Sequence, residues 1–195
     1  MCGDRKVPCF TRVWLVVLLF ASAACGHAQA REGDAWLSTT AGVTLGTDAI
    51  RFALIEARKD VLRQWNVGAT LAYLDSDTGS DELQLRLTAT GMMMVRQWSL
   101  DWRQMLSVSS QDVTRFRSRL RVVRPGLLGR EAISLRVFDE VFVDLEGAGV
   151  IRNNVAAGVG LQLHERCSAE LYHVWVDNRV GRLSDFAMLL VSLRF

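Results

Sequence analysis

Arg115-Phe116-Arg117-Ser118-Arg119-Leu120-Arg121-Val122 places a cation at every second position. On a helix these four arginines would wrap around three sides and scatter Phe116, Leu120 and Val122 among them. On a strand, where successive side chains point to opposite faces, the arginines form one ladder and the intervening side chains the other face. The segment therefore reads as a strand with one charged and one oily side. Upstream, Leu83, Leu85, Leu87 and Ala89 alternate with Gln84, Arg86, Thr88 and Thr90; Trp98, Leu100, Trp102, Leu106 and Val108 alternate with Ser99, Asp101, Arg103 and Ser107. Downstream, Ile133, Leu135, Val137, Val141, Val143 and Leu145 oppose Ser134, Arg136, Glu140 and Asp144, although Phe138 and Phe142 also fall on the polar side. Val155, Ala157, Val159, Leu161 and Leu163 then alternate with Arg152, Asn154, Gly158, Gly160 and Gln162.

Turn-forming clusters separate these runs at Gly46 to Asp48, Asp75 to Asp81, Ser109 to Asp112, Arg124 to Arg130, Glu146 to Gly149, His164 to Arg166 and Asp177 to Asp185. The pattern predicts an all-β chain of about ten antiparallel strands, with eight to twelve as the range, near 35–45, 49–58, 64–74, 82–92, 95–108, 113–123, 132–145, 151–163, 168–176 and 186–195. Ile50 to Arg63 also admits a helix.

The chain has 195 residues, half of them hydrophobic and only two of them proline. This composition excludes disorder, collagen and a disulfide-dense miniprotein, and the length fits one domain. Residues 1–30 read as a secretory signal peptide: Arg5, Lys6 and Arg12, an apolar run from Val13 to Ala24, then Ala28-Gln29-Ala30, with cleavage expected after Ala30. The apolar run falls short of the ~20 residues a membrane-spanning helix needs. Ser22-Ala23-Ala24-Cys25 offers an alternative, lipidation of Cys25. Residues 31–195 then form the mature domain, with 20 basic and 20 acidic residues. Such neutrality leaves no electrostatic footprint for nucleic acid. Cys167 is the one cysteine after the signal, so the exported domain has no intramolecular disulfide.

Two architectures fit amphipathic antiparallel strands: a soluble barrel or sandwich with its apolar side inward, and a membrane barrel with its apolar side outward. The polar face decides between them. After the signal, Lys59 is the only lysine against 19 arginines, and arginine, with its planar multidentate fork, is the cation suited to enclosed ion pairs. The expectation is a transmembrane β-barrel whose lumen holds a charge network of Arg115, Arg117, Arg119, Arg121, Arg136, Glu140, Asp144, Arg152 and Glu170, with Phe116, Leu120, Val159 and Leu189 facing lipid. Trp36, Trp65, Trp98, Trp102 and Trp175 are candidates for interfacial aromatic girdles. Leu189, Val191, Leu193 and the terminal Phe195, at two-residue steps, resemble the sorting signal through which bacterial outer-membrane barrels engage their assembly machinery.

Over residues 113–195 the chain resembles an uncharacterised bacterial family, the domain of unknown function numbered 2490. The likeness lies in Phe116-Arg117-Ser118-Arg119, Val137-Phe138-Asp139-Glu140-Val141-Phe142, Ile151-Arg152-Asn153-Asn154, Ala157-Gly158-Val159-Gly160 and Ser168-Ala169-Glu170-Leu171-Tyr172-His173-Val174-Trp175. It departs from the family at Leu161, where a tyrosine is expected. The resemblance implies a barrel in the outer membrane of a Gram-negative bacterium and no particular activity.

Lone chemistry-bearing residues add little. His173 lies on the outward face of its strand, opposite Ser168 and Glu170, and His164 falls at a turn. Met92, Met93 and Met94 are consecutive and share no face; Gly158 and Gly160 leave room for a bulky lumen neighbour. The reading is a structural or binding barrel or a narrow pore, more plugged than open, contacting outer-membrane lipid, with no cofactor and no metal. The alternatives are an outer-membrane lipid-acting hydrolase or acyltransferase working through His173, and a periplasmic lipoprotein or soluble β-domain.

Overall fold

A computed structural model describes residues 35–195 except 46–48, 63, 77–80, 112, 148 and 179–181, with backbone alone at 182 and 183. The signal peptide and the Cys25 alternative lie outside the described residues. Ten strands follow one another: β1 (Ala35–Leu45), β2 (Ile50–Leu62), β3 (Trp65–Ser76), β4 (Glu82–Val95), β5 (Trp98–Ser109), β6 (Thr114–Pro125), β7 (Ile133–Asp144), β8 (Gly149–His164), β9 (Cys167–Asn178) and β10 (Arg182–Arg194). Each pairs antiparallel with its sequence neighbours, and β1 pairs with β10, so the sheet closes into a barrel. The closing seam runs from Ser38 opposite Arg194 to Leu45 opposite Ala187, and the Phe195 N–H extends it by donating to the Leu37 carbonyl at 2.8 Å. Closure leaves no open edge, which a sheet in hydrocarbon requires because unpaired backbone groups there cost several kcal/mol each.

The segment that also admitted a helix is β2, paired in continuous register with β1 and, up to a bulge between Asp60 and Leu62, with β3. Its inward side, Phe52, Leu54, Glu56 and Arg58, and its outward side, Ala53, Ile55 and Ala57, are both partly apolar, so the two-residue period is blurred. Helical spacing has nothing to pack against in a closed sheet.

The apolar side looks out. Leu71, Leu83, Leu85, Leu87, Leu106, Leu120, Val137, Val155, Val159, Leu171 and Leu189 are exposed, whereas Arg86, Asp101, Glu140, Asn154 and four threonines of β3, β4 and the seam, Thr70, Thr88, Thr90 and Thr44, are buried. A water-soluble barrel would show the reverse. The interior also contains an apolar cluster, Phe138, Ala156, Tyr172, Val174 and Val176, with Phe186, Met188 and Leu190 packed against it.

Among the tryptophans, Trp65, Trp98, Trp102 and Trp175 are exposed on the outside. Trp65 and Trp102 meet edge to face at 6.3 Å, flanking Gly91, where a Cβ would come within 3.1 Å of the Trp65 ring. Trp36 corrects the girdle expectation: it sits on the inward side of β1, lines an interior cavity and stacks under the Arg194 guanidinium at 4.9 Å. Its alternation with Leu37 gives the reason, since Leu37 takes the outward position.

Candidate functional site

Inside the barrel, β5, β6 and β7 carry most of the charge because their inward positions are Asp101 and Arg103, then Arg115, Arg117, Arg119 and Arg121, then Arg136, Glu140 and Asp144. Antiparallel register brings the ladder of β6 between acids on both sides. Arg121 Nε donates to Asp101 Oδ2 at 2.5 Å, and Arg117 Nη2 donates to Glu140 Oε2 at 2.9 Å. Register sets Arg119 directly opposite Glu140, yet the bond is the diagonal one from Arg117, and Arg119 lies over the Phe138 ring at 5.8 Å. Arg152 donates to Asn154 Oδ1 at 2.6 Å, and together with Arg117 it brackets the Phe142 ring, at 5.2 and 4.3 Å.

Arg136 reaches across β8 to pair with Glu170 on β9. Glycine makes that crossing possible: a Cβ at Gly160 would collide with the Arg136 guanidinium and lie 2.7 Å from Ser134 Oγ. Gly158, one inward step away, gives the same room to Tyr172, whose ring meets Phe138 edge to face at 5.2 Å and whose hydroxyl donates to Glu170 Oε2 at 2.6 Å. Glu170 thus accepts from both Arg136 and Tyr172.

Asp144 lies at the rim and accepts the Glu146 backbone N–H at 2.8 Å. Among the described residues Arg115 has no carboxylate at ion-pair distance, although Asp144 is its register partner. The structure adds residues that the sequence pattern placed on the polar face without singling out. Arg103 and Asp101 come from β5, and Arg86, 8% exposed, from β4, its Nε donating to Gln84 Oε1 at 2.8 Å. Glu56 and Arg58 on β2 pair at 2.6 Å. The alternation of β4 and β5 already held the signal for Arg86, Asp101 and Arg103; the blurred pattern of β2 hid the other pair.

Two cavities in the lumen are bordered by the described residues. The first, of about 310 Å³, lies toward the start of β1 and the end of β10 and is bordered by Arg86, Arg103, Arg119 and Glu140 on one side and by Phe52, Leu54, Met188 and Leu190, with Ser38, Thr40, Ser192 and the Glu56–Arg58 pair, on the other. The second, of about 370 Å³, includes Thr44, Leu74, Arg152, Asn154, Val176 and Phe186. Phe52, Arg86 and Met188 border both and so stand between them.

Outside, His173 Nε2 lies 3.2 Å from Asp185 Oδ2, and its ring meets Trp175 edge to face at 4.5 Å. Ser168 and Glu170 occupy the opposite face of β9. Cys167 begins β9 as a free thiol, and His164 ends β8 beside the two-residue turn. Met92 and Met94 take inward positions and Met93 an outward one at the end of β4, where the Asn66 amide reaches the Met92 sulfur at 3.7 Å. Leu189, Val191 and Leu193 share the outward face of β10, and Phe195 continues the seam.

No protein-family model matches the sequence, and no curated protein matches it either. Solved structures do. A chain from work on the in-meso crystallization of membrane proteins is 7% identical with a TM-score of 0.53, over 82% of this chain and 83% of that one. An outer membrane channel from Pseudomonas putida F1 is 8% identical with a TM-score of 0.50, over 87% of this chain and 98% of that one. At these identities the likeness concerns the fold, a closed antiparallel barrel of the outer-membrane kind.

Proposed function

We propose that this chain is an outer-membrane β-barrel that binds small anions in its lumen. The carrying observation is an imbalance of charge around the first cavity. Four acids reach into this part of the lumen, and each is taken by one arginine: Glu56 by Arg58, Asp101 by Arg121, Glu140 by Arg117 and Glu170 by Arg136. Arg86, Arg103 and Arg119 remain without a carboxylate at ion-pair distance among the described residues. Enclosed guanidiniums that outnumber the carboxylates around them are costly, and an anion from solution relieves that cost.

The exposed apolar outer face supports placement in a membrane. The connections after β2, β4 and β8 have two residues, those after β1, β3, β5, β7 and β9 at the other end three to five, and the seven-residue connection 126–132 after β6 is the one long loop at the short-turn end; the prevalence of short turns there agrees with a periplasmic side. The motif resemblance of residues 113–195 points the same way.

Phe52, Arg86 and Met188, which stand between the two cavities, favour a binding barrel over an open channel, because side chains fill narrow barrels. In planar bilayers the folded protein is expected to pass no steady current, and Met188→Gly to open a small anion-selective one. A large steady conductance without substitution, or cation selectivity in the variant, overturns the reading. Fractionation is expected to place the chain in the outer membrane with heat-modifiable migration on gels, and detergent-free release into the periplasm contradicts it.

A further inference from the structure

We propose that the first cavity takes an amphiphilic anion: one oxyanionic head, carboxylate or phosphate, joined to a short apolar body. The inference rests on the anion-binding reading of the lumen and goes beyond it by fixing what the rest of the ligand must be.

In a closed ring of ten, β5 stands diametrically opposite β10, and β6 opposite β1. Arg103 on β5 and Arg119 on β6 therefore look across the lumen at the β10–β1–β2 side. There Met188 and Leu190 from β10 and Phe52 and Leu54 from β2 form an apolar patch of the cavity wall, beside Ser38, Thr40 and Ser192 and the paired Glu56 and Arg58 of the same strands. A Cβ at Gly42 of β1 would meet both Phe52 and Leu190, so the absence of a side chain at that position lets these two close over the strand and present a continuous apolar surface. One wall offers cations and the facing wall offers a hydrocarbon patch within a partly polar lining.

The cationic wall has donor capacity left over. The Nε atoms of Arg103 and Arg119 are fully buried and have no protein acceptor. Arg86 is buried and spends its Nε on Gln84, leaving its terminal nitrogens without an ion pair among the described residues. Guanidinium carries five donors in a fixed fork that suits two oxygens of one oxyanion. An inorganic ion would satisfy these donors and leave the facing apolar side in contact with water. A neutral apolar molecule would do the opposite. Only a ligand with both parts satisfies both walls of a space of about 310 Å³, which is near the lower limit, roughly 300 Å³, of small-molecule sites. That volume selects a free small amphiphile over a two-chain membrane lipid.

Calorimetric titration of the folded protein in non-ionic micelles, with empty micelles as blank, tests this. The probes are hexanoate and hexyl phosphate, against acetate, inorganic phosphate and hexanol. Either hexyl anion is expected to bind at least about tenfold more tightly than its headgroup alone, because each buried methylene favours the apolar wall. Arg103→Met is expected to weaken hexyl-anion binding by about tenfold or more, the cost of hydrogen bonds to a charged group. Leu190→Ser is expected to narrow the advantage of hexanoate while leaving acetate unchanged. Arg119→Met serves as the cationic variant should Arg103→Met lose heat-modifiable migration.

If the headgroups bind as tightly as the hexyl anions and Arg103→Met weakens both, the amphiphile inference fails while the anion reading survives. If none binds, or if hexanol matches hexanoate and is indifferent to Arg103→Met, both fail. Hexyl-anion binding untouched by either arginine variant overturns the assignment to this cavity.

Discussion

β6 and β10 are near opposite one another in the ring, are of similar length and present apolar side chains to the outside, yet their inward faces share almost nothing. β6 turns Arg115, Arg117, Arg119 and Arg121 inward; β10 turns Phe186, Met188 and Leu190 inward, framed by Ser184 and Ser192. Lipid dictates only the outer face. The inner face answers to its neighbours across the lumen, and either ion pairs or packed hydrocarbon fill a narrow barrel. The two fillings respond differently to mutation, because an ion pair is lost by removing either partner whereas an apolar cluster degrades with each lost atom.

Adjacent inward positions of β7 expose that difference most sharply. Glu140→Ala leaves Arg117 enclosed without its acid and is expected to cost about 3 to 5 kcal/mol. Phe138→Ala, one inward step away, removes the ring that meets Tyr172 and is expected to cost a similar 3 to 5 kcal/mol through the cavity it leaves. Single variants do not separate the two walls, but paired ones do. Arg117→Met with Glu140→Leu removes both charges together and is expected to be near neutral or stabilising. Phe138→Ala with Tyr172→Ala is expected to lose more than either single variant. Urea unfolding in lipid vesicles measures all of these, and a double charge variant as damaged as Glu140→Ala would end the distinction.

The next largest effect concerns inside against outside. Leu87→Arg on the outward face of β4 is expected to cost about 2 to 4 kcal/mol near the bilayer midplane, far more than Leu87→Ala in detergent. Equal losses in both media would mean that this face does not meet lipid. Smaller still is Gly160→Ala, whose Cβ meets the Arg136 guanidinium and Ser134. It is expected to cost about 1 to 3 kcal/mol as an overpacked site, and Arg136→Ala in the same chain should recover part of it.

The same contrast explains what the sequence made legible. Where the inner face is polar, as on β4 to β8, alternation marks strand, face and register at once, and the ten strands follow with boundaries displaced by a few residues. On β10, Phe186 to Val191 is apolar throughout, so the period vanishes and the inward Phe186, Met188 and Leu190 are invisible. β2 is blurred for the same reason, and with it Glu56 and Arg58. Pairing partners were beyond reach in principle. Arg117 bonds diagonally to Glu140 while lying over the ring of its direct partner Phe142, and Arg136 bypasses β8 altogether, a choice made by Gly160 and side-chain reach. The girdle expectation also put Trp36 and Trp65 in one class, although one occupies the lumen and the other the outer surface.

Asp139 is the residue that least fits a division into oily outside and charged inside. It stands on the outward face of β7, exposed, between Leu120 on β6 and Val155 on β8. Its neighbours in the strand, Phe138 and Glu140, are both buried inside, so no slip of register can turn Asp139 inward without expelling them. A carboxylate facing lipid is destabilising, by less than the ~2 to 4 kcal/mol of an arginine at mid-depth. Asp139→Leu is therefore expected to stabilise the folded barrel in vesicles by under about 2 kcal/mol, and to change little in detergent, where water reaches the side chain. Loss of stability on that substitution would show that the carboxylate holds a partner on the outer surface, and the rule that lipid alone sets this face would fail at β7.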